Sequence, residues 1–180
     1  MIGFSLIDPF AFKDDILSIG NQAFGDGYLN SVFDLANDVR CIGALDKGRL
    51  IGFVFYYAVD VEVISSFDVT LLFQPSRQVV YLKSVIVHPD YRRQKIATNL
   101  IAAIEVMGEK QGITHYYAEA WSTLTGLTSG LLFEKLGYRI VRQIDHFWFD
   151  DSLIQGYACS ECGQAPCCCS AVIFVKGRLI

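Results

Sequence analysis

Val85-Ile86-Val87-His88-Pro89-Asp90-Tyr91-Arg92-Arg93-Gln94-Lys95-Ile96-Ala97-Thr98 is the stretch on which the fold turns. Its β-branched run reads as the end of a strand over residues 79–87, and the strand must stop at His88-Pro89-Asp90, because Pro89 has no N–H to give a ladder. From Arg92 to Lys110 the apolar residues Ile96, Ala97, Leu100, Ile101, Ile104 and Met107 recur at helical spacing. The pattern is therefore a strand, a short turn and a long helix whose first amides lack partners. Free N–H groups and the positive end of the helix dipole make an anion site. Arg92, Arg93 and Lys95 add charge around that point, and the small Ala97 lets a phosphate come close to the backbone.

Working outward, residues 2–7 read as a strand closed by Asp8-Pro9, and residues 12–24 as a helix with Phe12, Ile16, Ile19 and Ala23 on one face. A short helix over 31–37 follows the break at Gly25-Asp26-Gly27. Residues 41–45 and 50–59 form a hairpin about Asp46-Lys47-Gly48. Residues 60–77 read either as a long loop or as containing a strand at 67–73. Beyond the long helix come a strand at 113–121, a helix at 127–136 stopped by Gly137, a strand at 138–149 and a last strand at 171–175. Strand-helix-strand units imply parallel pairing and hairpins imply antiparallel edges. The expected fold is α/β (α+β): a mixed, mostly antiparallel sheet of about seven strands with helices on both faces, in one domain spanning 1–180.

Composition narrows the function classes. The chain has 180 residues, 52% hydrophobic and 19% charged, too apolar for disorder. No apolar run reaches the roughly 18–20 residues of a membrane span. The first ten residues carry no Lys or Arg and do contain Asp8-Pro9, which argues against a secretory signal, so cytoplasmic residence is expected. A formal net charge of -4 argues against nucleic acid and for a small phosphorylated ligand at the single basic cluster. Dimerisation through an edge strand is compatible with the pattern.

Two segments resemble the signatures of the GNAT superfamily of N-acetyltransferases. Val87 to Ala97 is similar to its phosphate turn, Arg/Gln-x-x-Gly-x-Gly/Ala, with Arg92, Lys95 and Ala97 at the motif positions. Leu132-Phe133-Glu134-Lys135-Leu136-Gly137-Tyr138 resembles the second signature, and the element order agrees across nearly the whole chain. The resemblance implies acetyl-CoA as co-substrate, bound by Val85, Ile86, Val87, Arg92, Arg93, Gln94, Lys95, Ile96, Ala97 and Thr98. It implies transfer of acetyl to a primary amine by direct attack in a ternary complex, the acceptor being a small molecule or a peptide. Two positions depart from the family. Lys95 replaces a common Gly, which is tolerable if φ stays helical. Phe133 replaces a Tyr that protonates the leaving thiolate, so the alternative is a non-catalytic acyl-CoA-binding module or a zinc-stabilised interaction module on the same fold.

The resemblance makes Glu119, in Ala118-Glu119-Ala120, the first choice of catalytic base, because some family members place a catalytic Glu there. By alternation it shares a strand face with Tyr117 and Trp121, an apolar setting that raises a carboxyl pKa. His115 is the second choice, and His88 reads as structural. Tyr81, Tyr116 and Tyr138 are candidate proton donors that read first as packing aromatics.

Of six cysteines, Cys159, Cys162, Cys167, Cys168 and Cys169 fall in an insertion at about 156–170, between the last two strands. Cys-x-x-Cys-Gly is the shape of a zinc knuckle, and Cys159, Cys162, Cys167 and Cys169 are one tetrahedral set, with Cys168 facing away. A redox switch, disulfides and buried reduced thiols are the other readings.

Overall fold

The computed structural model describes residues 1–34, 39–61, 78–123, 126–127 and 129–177. Its elements are β1 Gly3–Ile7, α1 Lys13–Phe24, α2 Asn30–Asp34, β2 Arg40–Asp46, β3 Arg49–Asp60, β4 Gln78–Val87, α3 Ile96–Lys110, β5 Tyr116–Thr123, β6 Gly126–Leu127, α4 Gly130–Lys135, β7 Arg139–Ile144, α5 Phe149–Gln155 and β8 Ser170–Lys176. The strands make one eight-stranded sheet in the order β1-β2-β3-β4-β5-β8-β7, with β6 added to β5. Every pairing is antiparallel except β4 with β5. The expected mixed sheet is thus observed.

Helices cover both faces. Ile96, Leu100, Ile101 and Ile104 of α3 pack with Phe133 of α4 against Ile42, Val54, Val80 and Leu82. Ile16 and Ile19 of α1 pack on the other face against Phe53, Phe55 and Ile86. A third cluster joins Tyr117, Ile173 and Val175 to Trp148, Tyr157 and three cysteines.

Two features of β4 position the site. Tyr56 pairs with Leu82 and Phe55 with Ser84, so Lys83 is an extra, bulged residue. The bulge inverts the alternation: Val80 and Leu82 face α3 before it, Val85 and Val87 after it. The parallel pairing with β5 also ends early, at Leu82 with Ala118. Past that rung both strands continue, β4 to Val87 and β5 to Thr123, and no longer pair with each other.

Several sequence expectations need correction. The long helix starts at Ile96, because Arg93 and Lys95 have φ of 65° and 61°. Lys95 is left-handed, not helical as its side chain suggests. The strand expected over 138–149 ends at Ile144; a turn follows, then α5, which periodicity missed because Phe149, Leu153 and Ile154 are exposed. The helix expected from 127 begins at Gly130, residues 126–127 being strand. The strand considered at 67–73, and the end of the helix expected over 31–37, lie outside the described residues. No described helix is long and apolar enough to cross a membrane.

Candidate active site

The parting of β4 from β5 opens a cleft of about 610 Å³. One wall is Leu82 to Val87 with Arg92 and Ala97, and the other is Glu119 and Trp121 with Phe133 of α4. Across the mouth lie Phe24 and Tyr28 from the α1–α2 turn, and Trp148, Tyr157, Cys159, Ser160 and Cys167 from the C-terminal segment.

At the phosphate-turn end, His88 caps a 3-10 turn over Pro89–Tyr91, its Nδ1 accepting from the Asp90 amide at 3.3 Å. This places His88 in the structural role expected of it. Arg92 Nε donates to the Val87 carbonyl at 3.4 Å. Arg93 and Lys95, two apart, both take left-handed backbone conformations in the turn before α3. The Asn99 amide donates to the Lys95 carbonyl as the first bond of α3, leaving the Ile96, Ala97 and Thr98 amides without intrahelical acceptors. Of the residues implied for the cofactor, Val85, Ile86, Val87, Arg92 and Ala97 line the cleft. Arg93, Gln94 and Lys95 are exposed on the turn, Thr98 is half-buried, and the Ile96 side chain is buried in the core.

At the other end Glu119 sits between two phenols. Tyr81 donates to Oε2 at 2.6 Å and Tyr117 to Oε1 at 2.9 Å. Burial raises the Glu119 pKa, and the Tyr81 hydrogen bond, the Lys83 charge and the Tyr117 hydrogen bond oppose it. Lys83 lies over the Tyr28 ring at 5.8 Å. Tyr28 and the Glu119 and Asp151 carboxylates hold its ammonium above the ordinary value against the pull of burial, so it stays charged. Ser84 is 4% exposed and lines the cleft, its hydroxyl beside the Tyr28 phenol.

Of the other proposed participants, His115 is buried against Gly177 and does not line the cleft. Tyr116 donates to the carbonyls of Glu105 and Ile113, and Tyr138 packs on Phe133 at 5.1 Å, so both are structural. Only Tyr81 among the three tyrosines reaches the carboxylate. Phe133 is buried and stacked on Phe174 at 5.1 Å. Sequence reasoning passed over Lys83 and Ser84, although a lone charge inside an apolar strand is a signal. Tyr28 and Tyr157 carried none, since only tertiary contact, 5.2 Å ring to ring, brings them to the mouth.

The acetyltransferase (GNAT) family model matches residues 11–138. No curated protein sequence matches the chain. Arabidopsis thaliana NAA60 in complex with a bisubstrate analogue superposes with a TM-score of 0.76 at 20% identity, covering 98% of both chains. The same protein in complex with acetyl-CoA gives 0.77 at 19% identity, again over 98% of each. The Escherichia coli ribosomal-protein-S18-alanine N-acetyltransferase gives 0.68 at 15% identity, over 100% of this chain and 96% of that one. These likenesses show the fold, and the family match spans both sequence signatures. The chain belongs to the acetyltransferase (GNAT) family.

Proposed function

We propose that this chain transfers the acetyl group of acetyl-CoA to a primary amine, with both substrates bound and the amine attacking the thioester carbonyl directly. The parting of β4 from β5 at Leu82 and Ala118 carries this reading, because it sets a free strand edge opposite a carboxylate. The pantetheine amides take up the free edge beside Val85, Ile86 and Val87 as an added strand, and a β4 amide polarises the carbonyl. The pyrophosphate meets the Ile96, Ala97 and Thr98 amides, with Arg92, Arg93, Gln94 and Lys95 around it. The Ser84 hydroxyl in the lining suits a polar ligand group.

Glu119 is the base in this reading, held in place by Tyr81 and Tyr117. It takes a proton from the amine, directly or through one water. The N–C bond forms as the C–S bond breaks, and the departing thiolate takes its proton from solvent, since Phe133 has none to give. Phe24, Tyr28, Trp148 and Tyr157 at the mouth suit an amine on an apolar or peptide-like body better than a polycation. Unbridged thiols support residence in the reducing cytoplasm.

The test couples acetyl-CoA calorimetry, for wild type and Arg92→Ala/Arg93→Ala, with CoA thiol release over an amine panel. Binding weakened by the double variant, with amine-dependent release, supports the reading. Phe133 specifically favours a second one, a non-catalytic acyl-CoA binder, for which binding without release with any amine is the result.

A further inference from the structure

Four thiols converge beside the cleft, two of them, Cys159 and Cys167, in its lining, and the acetyl-transfer chemistry uses none of them. The Sγ atoms of Cys159, Cys162, Cys167 and Cys169 all lie within 4.8 Å of one another. Cys159 and Cys169 are 3.8 Å apart, and Cys162 and Cys169 are 3.6 Å apart. Bonded sulfurs would stand about 2.05 Å apart, and all six cysteines are free. A tetrahedron with Zn–S bonds of about 2.3 Å has edges of about 3.8 Å, which the Cys159–Cys169 and Cys162–Cys169 spacings match and the 4.8 Å limit on the rest allows with a small closing movement. We propose that these four cysteines bind one zinc ion as a closed structural site, and that the ion braces the acceptor-side wall of the cleft.

The surrounding backbone is built for that ligand. Gly163, at φ 82°, closes the Cys159-Ser-Glu-Cys162 turn, its amide donating to the Cys159 carbonyl at 2.8 Å. The Cys168 amide donates to Cys162 Sγ at 3.4 Å, the N–H···S bond that spreads thiolate charge. Cys159, Cys167 and Cys169 are buried and Cys162 is exposed, so three ligands are shielded and one edge faces water. Cys168, exposed and outside the set, gives an internal control. Binding converts four thiols to four thiolates: one Zn²⁺ enters, four protons leave, and the site carries a net charge of about −2.

The bracing role follows from what the knot holds. Between α5 and β8 there is no helix or strand among residues 156–169. The Ala158 amide donates to the Asp26 carbonyl and the Ser160 amide to the Phe24 carbonyl, both at 3.0 Å, while Ser160 Oγ donates to the Ala23 carbonyl at 3.1 Å. The Cys167 amide donates to Ser152 Oγ of α5 at 2.8 Å, and the Phe147 amide to the Cys169 carbonyl at 3.1 Å. One ion thus ties together the α1–α2 turn, α5 and the start of β8, which border the mouth. The phosphate turn lies at the opposite end of the cleft and shares none of these bonds.

The metal claim stands apart from the proposed activity, and only the bracing claim rests on it. The full chain, purified without chelator under inert gas, is assayed for metal by plasma mass spectrometry, with Cys162→Ser, Cys168→Ser and Cys41→Ser beside it. One zinc per chain is expected in wild type, Cys168→Ser and Cys41→Ser, and loss in Cys162→Ser. Cobalt(II) exchanged into the wild type gives intense sulfur-to-cobalt charge transfer and tetrahedral ligand-field bands, a readout that needs no variant to fold. Absence of metal with freely titratable thiols, or disulfides found by mass spectrometry, overturns the site. In Cys162→Ser the acceptor KM is expected to rise on the order of tenfold or more, with the acetyl-CoA Kd unchanged. Zinc loss that leaves the acceptor KM unaltered overturns the brace while sparing the site. A wild type that binds zinc but releases no CoA thiol with any amine counts against the transferase reading alone.

Discussion

At Lys95 and Glu119 local rules yield to the site. Lys95 holds φ at 61° in a position where the family commonly has Gly, and Arg93 holds 65° two residues earlier. A non-Gly residue there costs about 1–3 kcal/mol, and the turn it makes leads into α3 with the Ile96, Ala97 and Thr98 amides free of intrahelical acceptors. The sequence could not reveal this, because Lys in place of Gly reads as a sign that φ is ordinary. Lys95→Gly and Lys95→Ala both remove the charge, but only Gly removes the strain. Lys95→Gly is therefore expected to be about 1 kcal/mol more stable than Lys95→Ala in urea melts, with acetyl-CoA binding weakened alike in both. Glu119 was legible from strand parity, although its partner Tyr81 was not, since that contact crosses between strands. Glu119→Gln is expected to lower kcat by about a hundredfold. Because burial raises the Glu119 pKa, the acid limb of the wild-type kcat/KM profile lies above the ordinary carboxylate range. The stability sign is opposite to that of a salt-bridged carboxylate. A carboxyl raised on folding helps most below its unfolded pKa and loses that help as pH rises through the folded one. The Tm of Glu119→Gln minus that of wild type is thus expected to grow as pH rises above the ordinary Glu value of about 4.3.

Elements were legible where one face is buried and the ends carry turn chemistry. The helix α4 and its stop illustrate this. The Gly137 amide donates to the Glu134 carbonyl and the Tyr138 amide to the Phe133 carbonyl, a Schellman pair with Gly137 at φ 82°. Leu-Gly-Tyr announced that cap directly. A Cβ at Gly137 meets little, its nearest neighbour being Lys176 Cε at 4.0 Å, so the penalty for Gly137→Ala is conformational. About 1 kcal/mol is expected by chemical denaturation, with the cost falling on the cap that seats Phe133 in the cleft. The helix α5 was not legible because its apolar residues Leu153 and Ile154, 53% and 79% exposed, do not make a buried stripe. The β4 bulge was harder to read: one extra residue at Lys83 changes which side chains face α3, and the lone charge in an apolar strand is its one local mark.

Across the whole molecule the acceptor wall is assembled from segments far apart in the chain, so the sequence named its parts without joining them. Gly25 shows how tightly they meet. It ends α1 at φ 103°, and a Cβ there would overlap the Ala158 carbonyl and crowd the Ser160 amide. That close approach lets the α1–α2 turn bond the cysteine loop, as the Ser160 amide does to the Phe24 carbonyl. In Gly25→Ala backbone faces backbone, so no flexible side chain can move aside, and the loop must retreat from the turn. The left-handed φ adds strain of about 1–3 kcal/mol. Phe24, Tyr28 and Tyr157, whose rings meet at 5.0 and 5.2 Å across this junction, would part with it. The expected outcome is a higher acceptor KM and a lower Tm, with the acetyl-CoA Kd by calorimetry unmoved because, among the described residues, no hydrogen bond ties residues 92–98 to the junction. A parallel rise in both constants would mean that the two ends of the cleft are one mechanical unit, and that the acceptor wall supports the cofactor strand as well.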